Sequence, residues 1–451
     1  MNLSNRSVVV LGMARSGAAA ARLLHRLGAR VVVNDRKTRD ECPEATELEK
    51  LGIPVVLGGH PDGLVSEEVD LLVKNPGIPY HAKPVQEALR LGIPVITEVE
   101  IAGWLASSPM IGITGSNGKT TTTTLVGEML RRGGLKPVVA GNIGRALTEA
   151  VTDAGPDEWL VVELSSFQLK GTDSFRPRIA ALLNVFPAHL DYHGSMDDYV
   201  RSKARIFANQ SEEDIAVLNA GSEICRKIAE SVRSRIVWFG RTDERDCGAF
   251  ERDGRIIWRD STGEREIMPV SDVLLRGPFN LENALAAVAI ALSAGCPEDA
   301  IREALRTFRG VEHRLEFVTE RSGIKFYNDS KATNPQAAIR ALTSFEEPVV
   351  WIAGGLDRGI DFREMVPVIK ERVRVMVVYG QTREMLAERG KDAGIPVHVT
   401  EDVREAARIA GTLARPGDVV LLSPACASWD QHASFEERGS IFKETVHSLQ
   451  I

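Results

Sequence analysis

The run Thr114-Gly115-Ser116-Asn117-Gly118-Lys119-Thr120 concentrates the chemistry of this chain. An apolar strand, Pro109 to Ile113, leads into it, and a helical stretch beginning at Thr121 leads away. A glycine-rich turn at such a junction points backbone N–H groups at a polyphosphate, with the helix dipole behind them. Gly115, Ser116, Asn117, Gly118 and Thr121 would cradle the phosphates. Lys119 would reach the terminal ones, and the Thr120 hydroxyl would hold Mg²⁺. The general pattern G-x-x-x-x-G-K-[ST] wants glycine where this chain has Ile113, so T-G-S-N-G-K-T is a narrower variant. The run predicts a protein that binds and turns over a nucleoside triphosphate.

Three further residues could serve that chemistry. Glu163 follows the apolar strand Glu158–Val162, and a carboxylate at the end of a buried strand completes Mg²⁺ coordination in phosphate-loop enzymes. Taken alone it reads equally well as a cap or an ion-pair partner. His189 follows the strand Ala180–Val185; a lone histidine there is more often a hydrogen-bonded loop residue than a ligand. Lys203 lies in a helix with Ser202 and Phe207 and, by itself, is an ordinary surface lysine.

The elements that position these residues fall into three segments. The first opens with the strand Ser7–Leu11, the turn Gly12–Gly17, a helix to about Leu27 and the strand Arg30–Val33 ending in Asn34-Asp35. This is a βαβ nucleotide-binding opening, but Ala14 stands where the dinucleotide fingerprint needs its second glycine. That weakens an NAD-binding oxidoreductase reading, while Asp35 remains placed to meet a ribose or base edge. A strand from Asp70 to Lys74 runs into the turn Asn75–Pro79, at the kind of edge where such sheets bind ligands. The third segment follows helices at Asn283–Leu292 and Pro297–Phe308. It holds strands at Pro348–Ala353, Val373–Tyr379 and Val419–Leu422 with helices between, a Rossmann-like α/β pattern. Cys426, with no basic partner evident, reads as a buried packing residue.

The expected fold is therefore α/β in three domains: a Rossmann-like domain over 1–100, a central phosphate-loop α/β domain over 101–310, and a C-terminal Rossmann-like domain over 311–451. A chain of 451 residues is too long for one core. A net charge of −7 gives nucleic-acid binding no electrostatic support. No apolar run approaches the roughly 20 residues that span a bilayer, and Met1 to Arg6 lacks a signal-peptide core. Five scattered cysteines without a C-x-x-C read as reduced thiols in a cytoplasm. The expectation is a cytoplasmic monomer with neither nucleic-acid nor membrane partners.

T-G-S-N-G-K-T, Gly141-Asn142-Ile143-Gly144, E-L-S-S-F-Q-L, the Lys203 helix, H-R-L-E, N-D-S-K-A-T-N and S-P-A-C-A-S-W-D-Q together resemble the Mur ligases of bacterial cell-wall synthesis, from Val8 to about Phe442. N-D-S-K-A-T-N and S-P-A-C-A-S resemble the branch that adds D-glutamate. The resemblance implies an ATP-dependent amide ligase acting on UDP-N-acetylmuramoyl-L-alanine and D-glutamate through an acyl phosphate. It implies two Mg²⁺ ions, one on Thr120 and Glu163, the other on His189 and a Lys203 carbamylated by CO₂. Lys119, His189 and Lys203 would be the catalytic groups. Asn283, Arg314 and Asp329 would meet the adenine and ribose of ATP. Lys331, Thr333, Ser428, Trp429 and Phe435 would meet D-glutamate. Arg15, Ser16, Asp35, Arg36, Asn75 and Gly77 would hold the UDP end, with Asn142, Ser165 and Gln168 nearer the sugar and its alanyl group. Another Mur-type ligase or a folylpolyglutamate-type ligase is the competing reading. The diaminopimelate-adding enzyme would be expected to show D-N-P-R in the third segment, and a folate enzyme would lack the first.

Overall fold

The computed structural model describes residues 3–241 and 246–449; Met1 and Asn2 of the N-terminal reading lie outside them. Among the described residues three sheets form, of five, nine and six strands. The chain divides into two compact units, Met1–Asp272 with Glu282–Arg306, and Val273–Leu281 with Thr307–Ile451. No helix is long and apolar enough to cross a membrane among the described residues.

In the first unit, the five-stranded sheet runs Val55–Leu57, Arg30–Asp35, Ser7–Leu11, Leu71–Lys74, Val95–Ile96, all parallel. Val8, Val9, Val10 and Leu11 are all buried, as expected of a central parallel strand covered on both faces. The helix Arg15–Arg26 lays Ala18, Ala20, Ala21 and Leu24 into that core, and its small side chains let it approach closely. The same unit carries the nine-stranded sheet. Its strand Met110–Thr114 is buried throughout and pairs in parallel with Trp159–Glu163 on one side and Ile179–Leu182 on the other.

The nine-stranded sheet ends in an antiparallel flank, Gly248–Arg252, Arg255–Asp260 and Gly263–Pro269, that the sequence reading did not foresee. Its first hairpin turns at Asp253 (φ 52°) and Gly254 (φ 72°), an Asp-Gly pair suited to a tight turn. The helix Glu98–Leu105 joins the two sheets. Glu100, fully buried, accepts the backbone N–H groups of Asp173 (2.9 Å), Ser174 (2.8 Å) and Phe175 (3.0 Å) and the indole N–H of Trp104 (2.8 Å). Thr97 adds its hydroxyl to the Gln168 carbonyl at 2.7 Å. A buried carboxylate so fully hydrogen-bonded anchors the chain where an apolar contact would leave it free to slide.

In the second unit the six strands run Glu316–Arg321, Ile324–Asn328, Val419–Leu422, Val349–Gly354, Val373–Tyr379, Val397–Val399, parallel except for the first pair. Trp351, Met376 and Leu421 fill one face and Phe326, Val377 and Phe442 the other. The α/β architecture expected from the sequence is the one observed, and the strands at Ser7–Leu11, Val373–Tyr379 and Val419–Leu422 fall where they were read.

Candidate active site

The phosphate loop joins Met110–Thr114 to the helix Lys119–Arg132. Gly118 caps that helix at φ 82°, a left-handed conformation that costs other residues energy. A Cβ there would lie 2.1 Å from Oδ1 of Asn283, so the predicted nucleotide residue Asn283 packs directly on the loop. Asn184 braces the loop from the neighbouring strand end. Its carbonyl accepts the Ser116 N–H at 3.0 Å and its side-chain oxygen accepts the Asn117 N–H at 2.9 Å. Those two donors are therefore engaged, and the first-turn N–H groups of the helix, which no side chain caps, are the ones presented to an anion. Lys119 folds back, donating to the carbonyls of Gly115 (2.9 Å) and Ser116 (3.1 Å). The hydroxyl of Tyr199 meets Ser116 Oγ at 2.9 Å. Tyr199 was missed in the sequence, although it precedes Lys203 by four residues on one helix face, a spacing that marks neighbours.

Glu163 ends the strand beside the loop, in register with Ile113. It is 1% exposed. One carboxylate oxygen accepts the Asn142 amide at 2.7 Å; the other, Oε2, is buried with no hydrogen-bond partner. Gly141 makes the approach of Asn142 possible, since at φ 104° a Cβ would sit 2.4 Å from the Glu163 carbonyl. An open, buried carboxylate oxygen fits a cation. No group of three or more His, Cys, Asp and Glu side chains could hold a metal among the described residues. A hard divalent ion here would draw on Glu163, on the buried Thr120 and on phosphate oxygens.

Lys203 is not the surface residue that its local sequence indicates. It is 1% exposed, donates to the Gly115 carbonyl at 2.8 Å and lies 4.7 Å from the centre of the Tyr199 ring. Burial, reinforced by the charge of Lys119, pulls its amine down to about 6, so at neutral pH the amine is mostly uncharged and nucleophilic. His189 sits at φ 55° at the start of the short helix Leu190–His193. Its ring meets Phe167 edge-on at 5.0 Å and Tyr199 at 6.5 Å. Desolvation lowers its pKa; Asp191 opposes that and the charge of Lys119 adds to it. The fold thus brings Lys119, His189 and Lys203 into one electrostatic neighbourhood. Ser165 and Gln168 form a capping box for the helix Ser166–Lys170, the Gln168 side chain accepting the Ser165 N–H at 2.9 Å.

At the strand ends of the five-stranded sheet, a cavity of about 810 Å³ is lined by Arg15, Asp35, Arg36, Asn75 and Gly77, with Lys37, His60 and Lys83 unforeseen from sequence. Ser16 supports it from behind, its hydroxyl accepting the Asn75 amide at 3.2 Å. Asp35 accepts the Met13 N–H at 2.8 Å and the Lys37 N–H at 3.0 Å, which fixes the Gly12–Arg15 turn.

In the second unit, the predicted residues gather at the strand C-terminal edge. Asp329 accepts the Leu315 N–H (3.1 Å) and the Ser423 hydroxyl (2.9 Å), and burial pushes its carboxyl up to about 7. The neighbouring Arg314 charge opposes that shift. Lys331 lies 5.0 Å from the centre of the Phe435 ring. Thr333 is half-buried and Ser428 buried, while Trp429 is 63% exposed under the guanidinium of Arg358. Arg438 was not foreseen. Wholly buried, it donates to Ser330 Oγ (2.9 Å), the Ser330 carbonyl (2.8 Å) and the Cys426 carbonyl (3.0 Å), tying both strand-end loops together. A lone arginine in the helix Phe435–Ser448 carries no local signal for this role. Cys426 is buried, and desolvation raises its thiol to about 11, in keeping with a packing residue.

Comparison with known proteins bears on the whole chain. The family descriptions Mur ligase MurD-like, N-terminal domain, Mur ligase middle domain, and Mur ligase, glutamate ligase domain match residues 6–97, 113–291 and 313–426. The chain belongs to the Mur ligase family. UDP-N-acetylmuramoylalanine–D-glutamate ligase of Geobacillus kaustophilus is 52% identical to this Mur ligase, covering 99% of this chain and 98% of its own. The enzyme of that name from Bacillus subtilis is 46% identical over 99% of both. Among solved structures, MurF from Acinetobacter baumannii aligns with a TM-score of 0.60 at 19% identity, covering 98% of this chain and 93% of its own. UDP-N-acetylmuramate–alanine ligase from Thermotoga maritima aligns with a TM-score of 0.57 at 20% identity, covering 98% and 99%. These two share the fold.

Proposed function

We propose that this Mur ligase joins D-glutamate to UDP-N-acetylmuramoyl-L-alanine, converting ATP to ADP and phosphate, in the synthesis of peptidoglycan precursors. The observation that carries the reading is its 52% identity, over 99% of the chain, to a relative named for that reaction. The phosphate loop beside the open Glu163 oxygen supports it, because a carboxylate needs a phosphoryl leaving group before an amine can displace it.

The γ-phosphoryl of ATP passes to an oxygen of the alanyl carboxylate; the bond to ADP breaks and an acyl phosphate forms. The amine of D-glutamate then attacks the carbonyl carbon, loses a proton, and phosphate departs with the C–O electron pair. Lys119 offsets the charge of the two anions that must meet. Bound Mg²⁺ would supply further charge neutralisation, one ion held by Thr120 and Glu163 and a second by His189 and carbamylated Lys203. Lys203 suits that modification: its uncharged amine attacks CO₂, the new N–C bond forms, a proton leaves, and a cation becomes a carboxylate. Residues 1–100 are assigned the UDP end, with the 810 Å³ cavity as its seat. Residues 101–310 are assigned ATP. Residues 311–451 are assigned D-glutamate, through Lys331, Thr333 and Ser428. The protein is expected to work as a cytoplasmic monomer, which sedimentation equilibrium would check.

Phosphate release from MgATP with UDP-N-acetylmuramoyl-L-alanine tests the reading, comparing D-glutamate, L-glutamate, L-lysine and meso-diaminopimelate. Turnover with D-glutamate alone is expected. Turnover only with another acceptor would keep the ligase chemistry and remove the assignment of Lys331, Thr333 and Ser428.

A further inference from the structure

The first unit holds a second buried lysine that the proposed reaction does not use. Lys74 ends the strand Leu71–Lys74 and is 1% exposed. Its ammonium donates to the carbonyls of Asn75 (3.3 Å) and Pro76 (3.2 Å) and to the hydroxyl of Tyr192 (3.0 Å). With one lone pair taken by that lysine, the Tyr192 hydroxyl donates onward to the carbonyl of Pro76 (3.1 Å) or Ile78 (3.3 Å). Asn75, Gly77 and Ile78 line the 810 Å³ cavity.

Tyr192 lies three residues beyond His189, on the helix Leu190–His193. Phe167 packs edge-on against Tyr192 at 4.4 Å and against His189 at 5.0 Å, and stacks on His193 at 5.5 Å. His189 in turn meets Tyr199, whose hydroxyl reaches Ser116 of the phosphate loop. A continuous packed path thus leads from the cavity's turn, through Lys74 and Tyr192, to His189 and the phosphate loop.

Burying an ammonium is costly unless its hydrogen bonds are needed, and an apolar residue of equal length would fill the space without that penalty. The neighbouring Asp198 is engaged by Lys170 at 2.7 Å and His193 at 2.8 Å. Lys74 instead faces the rings of Tyr80 (4.9 Å) and Tyr192 (5.7 Å) and the three oxygens above. Its position is set by geometry at the joint between turn and helix.

We propose that Lys74 is a positioning residue: through Tyr192 it holds the Asn75–Pro79 turn in register with His189, so that a substrate anchored in the cavity presents its reacting end to the phosphate loop. The proposal rests on the ligase reading above. Its test compares Lys74→Met, Tyr192→Phe and the double variant, with kcat measured at saturating MgATP and D-glutamate. The Kd for UDP-N-acetylmuramoyl-L-alanine is taken by equilibrium titration. Each single variant should lower kcat about tenfold, with Kd within twofold of wild type, and the double variant should be no worse than either single one. Tyr192→Phe keeps the ring and its packing, so it stays folded and isolates the hydroxyl. Unchanged kcat in both singles would overturn the proposal, as would losses that multiply or a weakened Kd at unchanged kcat. A wild type that fails to turn over D-glutamate would instead defeat the ligase reading.

Discussion

Lys203 and Lys74 are both buried lysines of the first unit, and what surrounds each separates their roles. Lys203 makes one hydrogen bond, to the Gly115 carbonyl, and stands near a second cation, Lys119. Lys74 also stands near a cation, Lys170, but is held at three points by neutral oxygens. Burial drives both amines down, to about 6 and about 7. Desolvation alone therefore does not mark a reactive lysine. Each amine has a cation close by, Lys119 for Lys203 and Lys170 for Lys74, so the number of acceptors separates them: three oxygens fix the Lys74 nitrogen in place, whereas the single tie of Lys203 leaves its amine open to modification.

The sharpest way to break this distinction is Lys203→Arg, which places a fixed cation there and cannot carry a carbamate. It should cut kcat about a thousandfold, the scale expected when a group stabilising transition-state charge is lost. Wild type in ¹³C-bicarbonate should show a carbamate carbon that Lys203→Arg lacks. Equal losses in Lys203→Arg and Lys74→Met would mean that both lysines are structural.

Glu163→Gln comes next. It retains the contact with Asn142 but converts the open oxygen into part of an amide. Its kcat/KM for MgATP should fall about a hundredfold, and the Mg²⁺ concentration for half-maximal rate should rise. Its melting temperature should hold or increase, because a buried carboxylate with one unpaired oxygen penalises folding. A fall in melting temperature with unchanged Mg²⁺ dependence would assign Glu163 to structure alone.

The same contrast explains what could be read from the sequence. T-G-S-N-G-K-T and the strand ending at Glu163 are local patterns whose neighbours in space are neighbours in sequence, so the phosphate loop was readable. The cavity residues Asp35, Asn75 and Gly77 were readable because parallel sheets gather ligands at strand C-terminal ends, while Arg15 came only from the family resemblance. The Lys74–Tyr192 contact joins residues 118 positions apart, and Arg438 reaches Ser330 across 108. No periodicity announces such pairs. Lys203 looked like a surface lysine because burial is decided by what the rest of the chain folds over a helix. The antiparallel flank over Gly248–Pro269 went unread because its strands mix charged with apolar residues.

A smaller effect is expected at the loop itself. Gly118→Ala places a Cβ against Asn283 at a backbone angle of φ 82°. It should destabilise the first unit by about 2 kcal/mol, read by denaturant unfolding, and weaken ATP binding. Asn283→Ala added to it should recover part of the stability, since the clash is with that side chain.

A last prediction bears directly on the two lysines. An unfolded lysine titrates near its ordinary value of about 10.4, while native Lys203 titrates at about 6 and native Lys74 at about 7. Between the native and unfolded values the unfolded chain binds the extra proton. Stability must therefore rise with pH, by about 1.4 kcal/mol per pH unit for each proton, and below about 6 both penalties are fully present. Lys203→Met should remove the slope that begins near pH 6, and Lys74→Met the part that begins near pH 7. Bicarbonate then separates them. A carbamate forms only on the native amine, so at ten times its dissociation constant it should add about 1.4 kcal/mol to stability. That gain should appear in wild type and in Lys74→Met and vanish in Lys203→Met. A bicarbonate effect that disappears with Lys74 instead would reverse the assignment of the two amines.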